Sequence, residues 1–305
     1  MLKALPFNSN VIALHGTVLI WGFTGVLGNL ISLDAIHLVW YRVIIAFLGL
    51  FLYMKIRRQG LKIKAREMAS ILLVGAIIGI HWFFFFQSIK LSTVSVGLVS
   101  VSSVTLFTAI LEPIFYRRSV SKLEVLIGIL IISGIFMIFK FEAKYALGIS
   151  LGLMGAICAS VFSIMNSKLV KKHNPTLISL YEMLGAFIVI SLYLGFHSGF
   201  RHGMNVSARD LIYLLILGLI CTSVAYVIAV AVMKELSAFR VALATNLEPI
   251  YGIILAFIIF GKAEQMTAGF YAGASIIIGS IFLYSYLRSK HFEHQKTKFR
   301  NTRLK

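Results

Sequence analysis

The residues able to do chemistry in this chain are few, and the most telling stand inside long apolar runs. Glu248 lies about eight residues into the apolar block 241–260. Thr245 precedes it by roughly one helical turn, Asn246 is close by, and Pro249 follows, which removes a backbone donor and tends to bend a helix. An ionisable side chain at such depth in hydrocarbon costs at least about 2.5 kcal/mol, so its presence needs a reason. Two chemistries suit a carboxylate in this setting: binding the amine of a solute, or taking up and releasing a proton. A structural carboxylate paired with a nearby cation or hydroxyl is the other reading.

Glu112-Pro113 repeats the Leu-Glu-Pro pattern, but Glu112 lies near the end of its block, where Arg117 comes within about one and a half helical turns. Ion pairing at a helix end is the favoured role, although Ser102, Thr105 and Thr108 share its face and suit a vestibule. Arg42 and Glu182 are read as structural charges, able to snorkel toward opposite interfaces. His81, in the run HWFFFFQS, suits either a bond to a neighbouring helix or a coupling proton, since unperturbed imidazole titrates near pH 6.5. Trp21 and Thr24 are one turn apart among glycines. Ser160, Ser163 and Ser167 form a stripe at helical spacing, and Thr222 shares a face with Tyr226. Small and hydroxylated residues also pack helices in lipid, with interhelical bonds averaging only about 0.6 kcal/mol, so each is equally a packing residue.

No catalytic constellation accompanies them. The sequence contains no HExxH, no phosphate-binding Walker loop, no GxSxG and no metal-ligand spacing, so neither a catalytic residue, a metal nor a cofactor is expected. Cys158 and Cys221 both fall in apolar stretches and read as buried small hydrophobes.

The elements that must position these residues follow from composition. The chain of 305 residues is 59% hydrophobic and only 13% charged, where soluble domains carry about 25% charged residues. Its mean hydropathy is +0.91. Ten apolar blocks are predicted as membrane-spanning helices: 10–30, 36–54, 68–88, 93–116, 123–140, 147–167, 176–196, 211–233, 241–260 and 267–287. The first block is long for a signal sequence and has no cleavage site behind it. A net charge of +18 would suit nucleic acid, but the basic residues sit in short loops and a tail, which is topology information. With the N-terminus inside, 22 of the 29 Lys and Arg fall in the cytoplasm, six fall outside, and Arg42 lies within a span. That bias predicts a multi-pass protein of the cell membrane with both termini cytoplasmic.

An internal repeat is also visible. Residues 115–137 align with 260–282 at a constant offset of 145, pairing Gly128 with Gly273 and Gly134 with Gly279, and Tyr41-Arg42 aligns with Tyr181-Glu182. The units are 10–140 and 147–287, with 288–305 as a basic cytoplasmic tail. Five spans per unit is an odd number, so the second unit enters the membrane inverted, an arrangement common in secondary transporters.

Two five-span halves, the early WGFTG at 21–25, Trp40-Tyr41-Arg42, Asn246-Leu247-Glu248-Pro249 and the closing glycine-spaced helix resemble the EamA family of the drug/metabolite transporter superfamily. The resemblance implies an all-α membrane fold of ten helices around a central cavity. Spans one, three and four and their counterparts six, eight and nine would line it, and small metabolites would move by exchange or gradient coupling. The family often has a glutamate shortly after the fourth helix of each half. Arg117-Arg118 stands there in the first half, and Lys262-Ala263-Glu264 in the second. The expected function is secondary transport of small metabolites, an amino-acid-like or related solute, in the outward direction. A membrane-embedded lipid enzyme and a non-transporting scaffold are the alternatives. The expected partners are the solute and the lipid bilayer, not nucleic acid; a homo-oligomer is compatible with the sequence. The substrate pathway is expected to contain Glu248, Asn246, Thr245, Trp21, Thr24, His81, Ser163, Tyr226 and Thr105, with Arg42, Glu182 and Glu112 as structural charges.

Overall fold

The computed structural model describes residues 9–302 apart from 118, 198, 201–202 and 246. Every regular element among them is helical: α1 (Ser9–Leu30), α2 (Ala35–Ile56), α3 (Ala65–Lys90), α4 (Val94–Val101), α5 (Val104–Tyr116), α6 (Lys122–Phe141) and α7 (Ala146–Leu169). Then come α8 (Pro175–Phe196), α9 (Ala208–Leu215), a π-helical stretch Ile216–Val224, α10 (Ala225–Val232), α11 (Ala238–Thr245), α12 (Glu248–Phe260) and α13 (Ala268–Thr302). Eight stretches among the described residues are long and apolar enough to cross a bilayer, counting α4–α5 and Ala208–Val232 as one each. The apolar part of α13, Ala268–Tyr284, is shorter. The ninth expected block is divided into α11 and α12 on either side of Asn246, which lies outside the described residues.

Local chemistry sets several boundaries. Pro175 opens α8, and the Asn174 side chain accepts from the Thr176 amide at 2.9 Å. Ser121 and Glu124 cap each other's main-chain amides at the start of α6. Three expected blocks differ in detail. The block 93–116 is broken at Ser102-Ser103, whose hydroxyls each donate to the carbonyl three residues back at 2.6 Å. Such back-bonding competes with the helical ladder. In the block 211–233, Thr222 and Ser223 donate to the carbonyls of Leu217 and Gly218, five residues back, within the π-helical stretch. The helix of the last block does not stop before the basic tail but runs on to Thr302.

Glycines decide how closely the helices cross. A Cβ on Gly75 of α3 would run into the main chain of Glu182 in α8, and one on Gly185 of α8 would run into Leu72 in α3. At α6 and α13, a Cβ on Gly134 would lie 2.7 Å from the Gly273 carbonyl, and one on Gly273 equally close to that of Gly134. Small residues at both crossings let backbones touch, which drives association where lipid is as apolar as leucine. The order of packing interleaves the two halves of the chain: α3 lies on α7 and α8, α1 on α10 and α12, α4 on α12, and α5 on α11. Because successive spans alternate in direction, one end of the bundle carries the α1–α2 loop and the N-termini of α4, α9 and α13. The other carries the N-termini of α1, α3, α8 and α11.

Candidate functional site

The interleaved helices enclose a cavity of about 820 Å³ of atom-free space, part of it open to solvent. Its lining comes from α1 (Trp21, Thr24), α2 (Arg42), α3 (His81, Trp82, Phe85), the α4–α5 corner (Val101, Val104) and α7 (Ala159, Phe162, Ser163). The far wall comes from α10 (Tyr226, Ala229, Val230), Met233, α11 (Val241, Ala242, Thr245) and Glu248. A smaller void of about 230 Å³ adjoins it between Glu248, Pro249 and the broken α4–α5 corner at Ser102. Seven expected pathway residues therefore share one space: Trp21, Thr24, His81, Ser163, Tyr226, Thr245 and Glu248.

Each is placed by its element. Glu248 occupies the first turn of α12, beside the break before that helix, where the positive end of the helix dipole favours a negative side chain. Gly22 of α1 admits α12 closely: a Cβ there would lie 2.8 Å from Tyr251 and 3.6 Å from the Glu248 carbonyl. This contact brings Glu248 beside Trp21 and Thr24. The indole of Trp21 donates to the Cys221 carbonyl in the π-helical stretch at 3.1 Å, while Thr24 Oγ1 is buried with no hydrogen-bond partner. Thr245 donates back to Ala242 at 2.8 Å. His81 Nδ1 bonds the Gly155 carbonyl at 2.8 Å, the helix-to-helix role open to it, with its ring centroid 5.3 Å from that of Phe162. Trp82, Phe162 and Tyr226 form an aromatic cluster on the same wall, with Tyr226 6.1 Å from Trp82 and 6.5 Å from Phe162.

Arg42 departs from expectation. It does not reach toward an interface but is 2% exposed and lines the cavity. Its Nε donates to Thr222 Oγ1 at 2.7 Å, and its guanidinium carbon lies 3.9 Å from the Trp82 ring centroid, a cation–π contact. Nη1 has no partner. Arg42 and Glu248 lie within each other's electrostatic reach across the cavity without forming an ion pair. The physical reason is the crossing of α2 with the π-helical stretch. A Cβ on Gly218 would meet Ile45 at 2.6 Å and the Arg42 carbonyl at 3.2 Å, and this close approach draws Arg42 against Thr222. The sequence did carry a signal, since Arg42 is the one Lys or Arg away from the ends of the expected spans.

Glu182 does not snorkel either; it is 0% exposed, beside Asn166 and Tyr226. Thr105 is buried in α5 and donates to the Ala242 carbonyl at 3.5 Å, tying α5 to α11 outside the cavity lining. Glu112 is likewise buried in α5 and is not among the lining residues. The serine stripe divides: Ser163 faces the cavity, Ser160 accepts from Thr108 at 3.1 Å, and Ser167 pairs with Tyr116 at 2.7 Å. Both cysteines are free thiols, Cys221 buried and Cys158 half-buried.

A helical membrane protein with a solute-sized, charge-bearing cavity between two interleaved halves has the build of a transporter. The model of the EamA-like transporter family matches residues 8–140 and again 146–286, and the chain belongs to that family. It is 22% identical to the uncharacterized transporter YdfC of Bacillus subtilis over 87% of this chain and 86% of that protein. It is 24% identical to an uncharacterized transporter of Archaeoglobus fulgidus over 88% of this chain and 94% of that protein. One solved crystal structure matches its fold with a TM-score of 0.67 at 15% identity, covering 92% of this chain and 98% of the other. The protein is thus a multi-pass membrane transporter of the drug/metabolite superfamily, acting on a small molecule in the lipid bilayer rather than as an enzyme.

Proposed function

We propose that the protein exports a small amino-acid-like solute by exchange or an ion gradient, using the cavity between Arg42 and Glu248. The observation that carries this reading is the pair of opposite charges lining one cavity without an ion pair between them. A carboxylate group of a solute suits Arg42, whose Nη1 is unpartnered, and an amine suits Glu248. Trp21, Thr24, Ser163, Tyr226 and Thr245 complete the binding wall, and Asn246 is included from the sequence alone, two residues before Glu248.

The reading includes ten spans as two inverted five-helix repeats, 10–140 and 147–287, in the plasma membrane with both termini cytoplasmic. Two hydrogen bonds support the inversion. Tyr41 donates to the Met204 carbonyl in the loop before α9, and Tyr181 donates to the Leu61 carbonyl in the loop before α3, both at 2.9 Å. These are the two tyrosines that the repeat aligns, reaching across in opposite directions. The distribution of Lys and Arg supports the orientation.

Exchange in proteoliposomes loaded with a panel of zwitterionic amino acids tests the function. The wild type is expected to exchange at least one of them. Glu248→Gln is expected to slow that exchange roughly tenfold to a hundredfold, the loss of a charge-assisted contact of about 1.5–3 kcal/mol. Unchanged exchange by Glu248→Gln would remove Glu248 from the pathway, and a wild type that exchanges none of the panel overturns the solute class.

A further inference from the structure

Behind the cavity wall lies a second polar site to which the solute reading gives no work. Glu182, Asn166 and Ser179 are each 0% exposed. Both carboxyl oxygens of Glu182, Oδ1 of Asn166 and Oγ of Ser179 are buried without a hydrogen-bond partner. Ser179 precedes Glu182 by three residues on α8 and so shares its face. Asn166 Nδ2 donates to the Tyr226 hydroxyl at 2.9 Å, which leaves the Tyr226 hydrogen available, and Tyr226 also lines the cavity. Tyr226 is thus the one member of the group that touches both the solute space and the surroundings of Glu182.

The imbalance is chemical. An ionised Glu182 supplies only acceptors, and Asn166 Oδ1 is a further buried acceptor with no donor. Among the described residues no cation compensates. Of the elements around α8, α2 brings Arg42, committed to Thr222 and Trp82; α3 brings His81, bonded to the Gly155 carbonyl; α7 brings the neutral Asn166; and α10 brings Tyr226. An isolated buried carboxylate is strongly disfavoured, whereas the neutral acid carries the donor this group lacks. The polar side chains beside it, Asn166 and Tyr226, offer both an acceptor and a donor to a neutral acid.

We propose that Glu182 is a proton-binding site of the transporter, exchanging its proton with the cavity through the Tyr226 hydroxyl. The proton moves from the solute space to the tyrosine oxygen as the tyrosine hydrogen passes to Glu182, and it returns by the reverse relay. Coupling then follows from α10, which carries Tyr226 and continues directly from the π-helical stretch that holds Arg42 through Thr222. The role of this proton in transport rests on the export reading above; its binding does not.

Infrared difference spectra of the full-length protein in liposomes, recorded across pH, test the site without any solute. A protonated-carboxyl C=O band is expected at neutral pH in the wild type and in Glu248→Gln, with the Glu182 component missing in Glu182→Gln. Tyr226→Phe, which removes a donor to the same carboxyl, is expected to shift the band and keeps the test open should Glu182→Gln fail to fold. Spectra of Glu182→Gln identical to wild type, or a band unmoved in Tyr226→Phe, overturn the proposal. So does a Na⁺-dependent rise in melting temperature that Glu182→Gln abolishes, which would assign these oxygens to a metal cation. In transport, a gradient of one pH unit is worth about 1.4 kcal/mol per proton. Coupled to one proton, the wild type is expected to accumulate an exchanged amino acid roughly tenfold against it, and Glu182→Gln to show no accumulation. Failure of the infrared test leaves the export reading standing, and failure to transport the panel leaves the proton site to be read by its band.

Discussion

The two ends of the helix bundle are held shut by different chemistry. At the end with the α1–α2 loop, three buried carboxylates accept main-chain amides from distant elements. Asp210 takes the Ser32 amide at 2.9 Å and its hydroxyl at 2.6 Å. Glu264 takes the amides of Val94 and Ser95 at 2.9 Å and the Ser95 hydroxyl at 2.7 Å. Glu142 takes the Thr267 amide at 2.9 Å. At the opposite end the corresponding contacts are more exposed: Asn10 to Glu235 at 2.6 Å, Lys168 to the Phe115 carbonyl at 3.0 Å, and His173 to Glu67 at 3.8 Å. Met233 and Val241, near that second end, belong to the cavity lining, whereas Val94 at the first is sealed. A charge-assisted bond removed from water is worth about 1.5–3 kcal/mol, while an exposed one contributes about 0–1. Alternation of access, on the export reading, therefore costs more to begin at the first end than at the second.

Cysteine labelling puts the largest number on this difference. In a background with Cys158→Ser and Cys221→Ser, Ser163→Cys on the cavity wall and Val94→Cys at the sealed end are to be compared with a soluble maleimide. Three closures of at least about 1.5 kcal/mol each correspond to protection on the order of a thousandfold. Equal labelling rates would mean that the two ends are equally closed in solution, and the comparison would fall.

Glu264→Ala breaks the closed end directly. It strips three donors of their acceptor at the N-terminus of α4, and buried amides left unpaired cost about 1–3 kcal/mol. A loss of about 3 kcal/mol is expected, read as a lower melting temperature in detergent, together with faster labelling of Val94→Cys. Glu264→Gln keeps an acceptor and is expected to lose roughly half as much. Melting of Glu264→Ala with the wild type would show that the closure rests elsewhere.

Much of this was legible beforehand, and the gaps have physical causes. Apolar blocks of about 20 residues announce helices in lipid, and a carboxylate such as Glu248 within one announces a position turned to the protein interior, because the lipid face does not tolerate it. Glu264 stood in the sequence only as part of Lys262-Ala263-Glu264, with no role read for it, because its partners, the amides of Val94 and Ser95, carry no side-chain signature. Arg118, at the matching place in the first half, lies outside the described residues. Arg42 and Glu182 were misplaced because repeat alignment fixes which positions correspond, not how deeply they sit. Both lie seven residues into their helices, roughly 10 Å from the end. The π-helical stretch was hidden because ILGLICTSV contains neither a proline nor a charge. Only the hydroxyls of Thr222 and Ser223, reaching five residues back, reveal it.

The open end supplies the smallest expected effect and thereby the control. Lys168 of α7 is exposed, donates to the Phe115 carbonyl at 3.0 Å and rests 4.8 Å from the Tyr116 ring. It bridges α7 to the end of α5 much as Glu264 bridges the opposite ends of α12 and α4, but in reach of water. A cation–π contact at an exposed site contributes about 0.5–1 kcal/mol, and the carbonyl released by Lys168→Ala can be taken over by solvent. Lys168→Ala is therefore expected to lower stability by no more than about 1 kcal/mol, and to leave the labelling of both Ser163→Cys and Val94→Cys near wild type. A loss as large as that of Glu264→Ala would mean that burial, not the number of contacts, had been credited wrongly, and that the two ends are held by comparable forces after all.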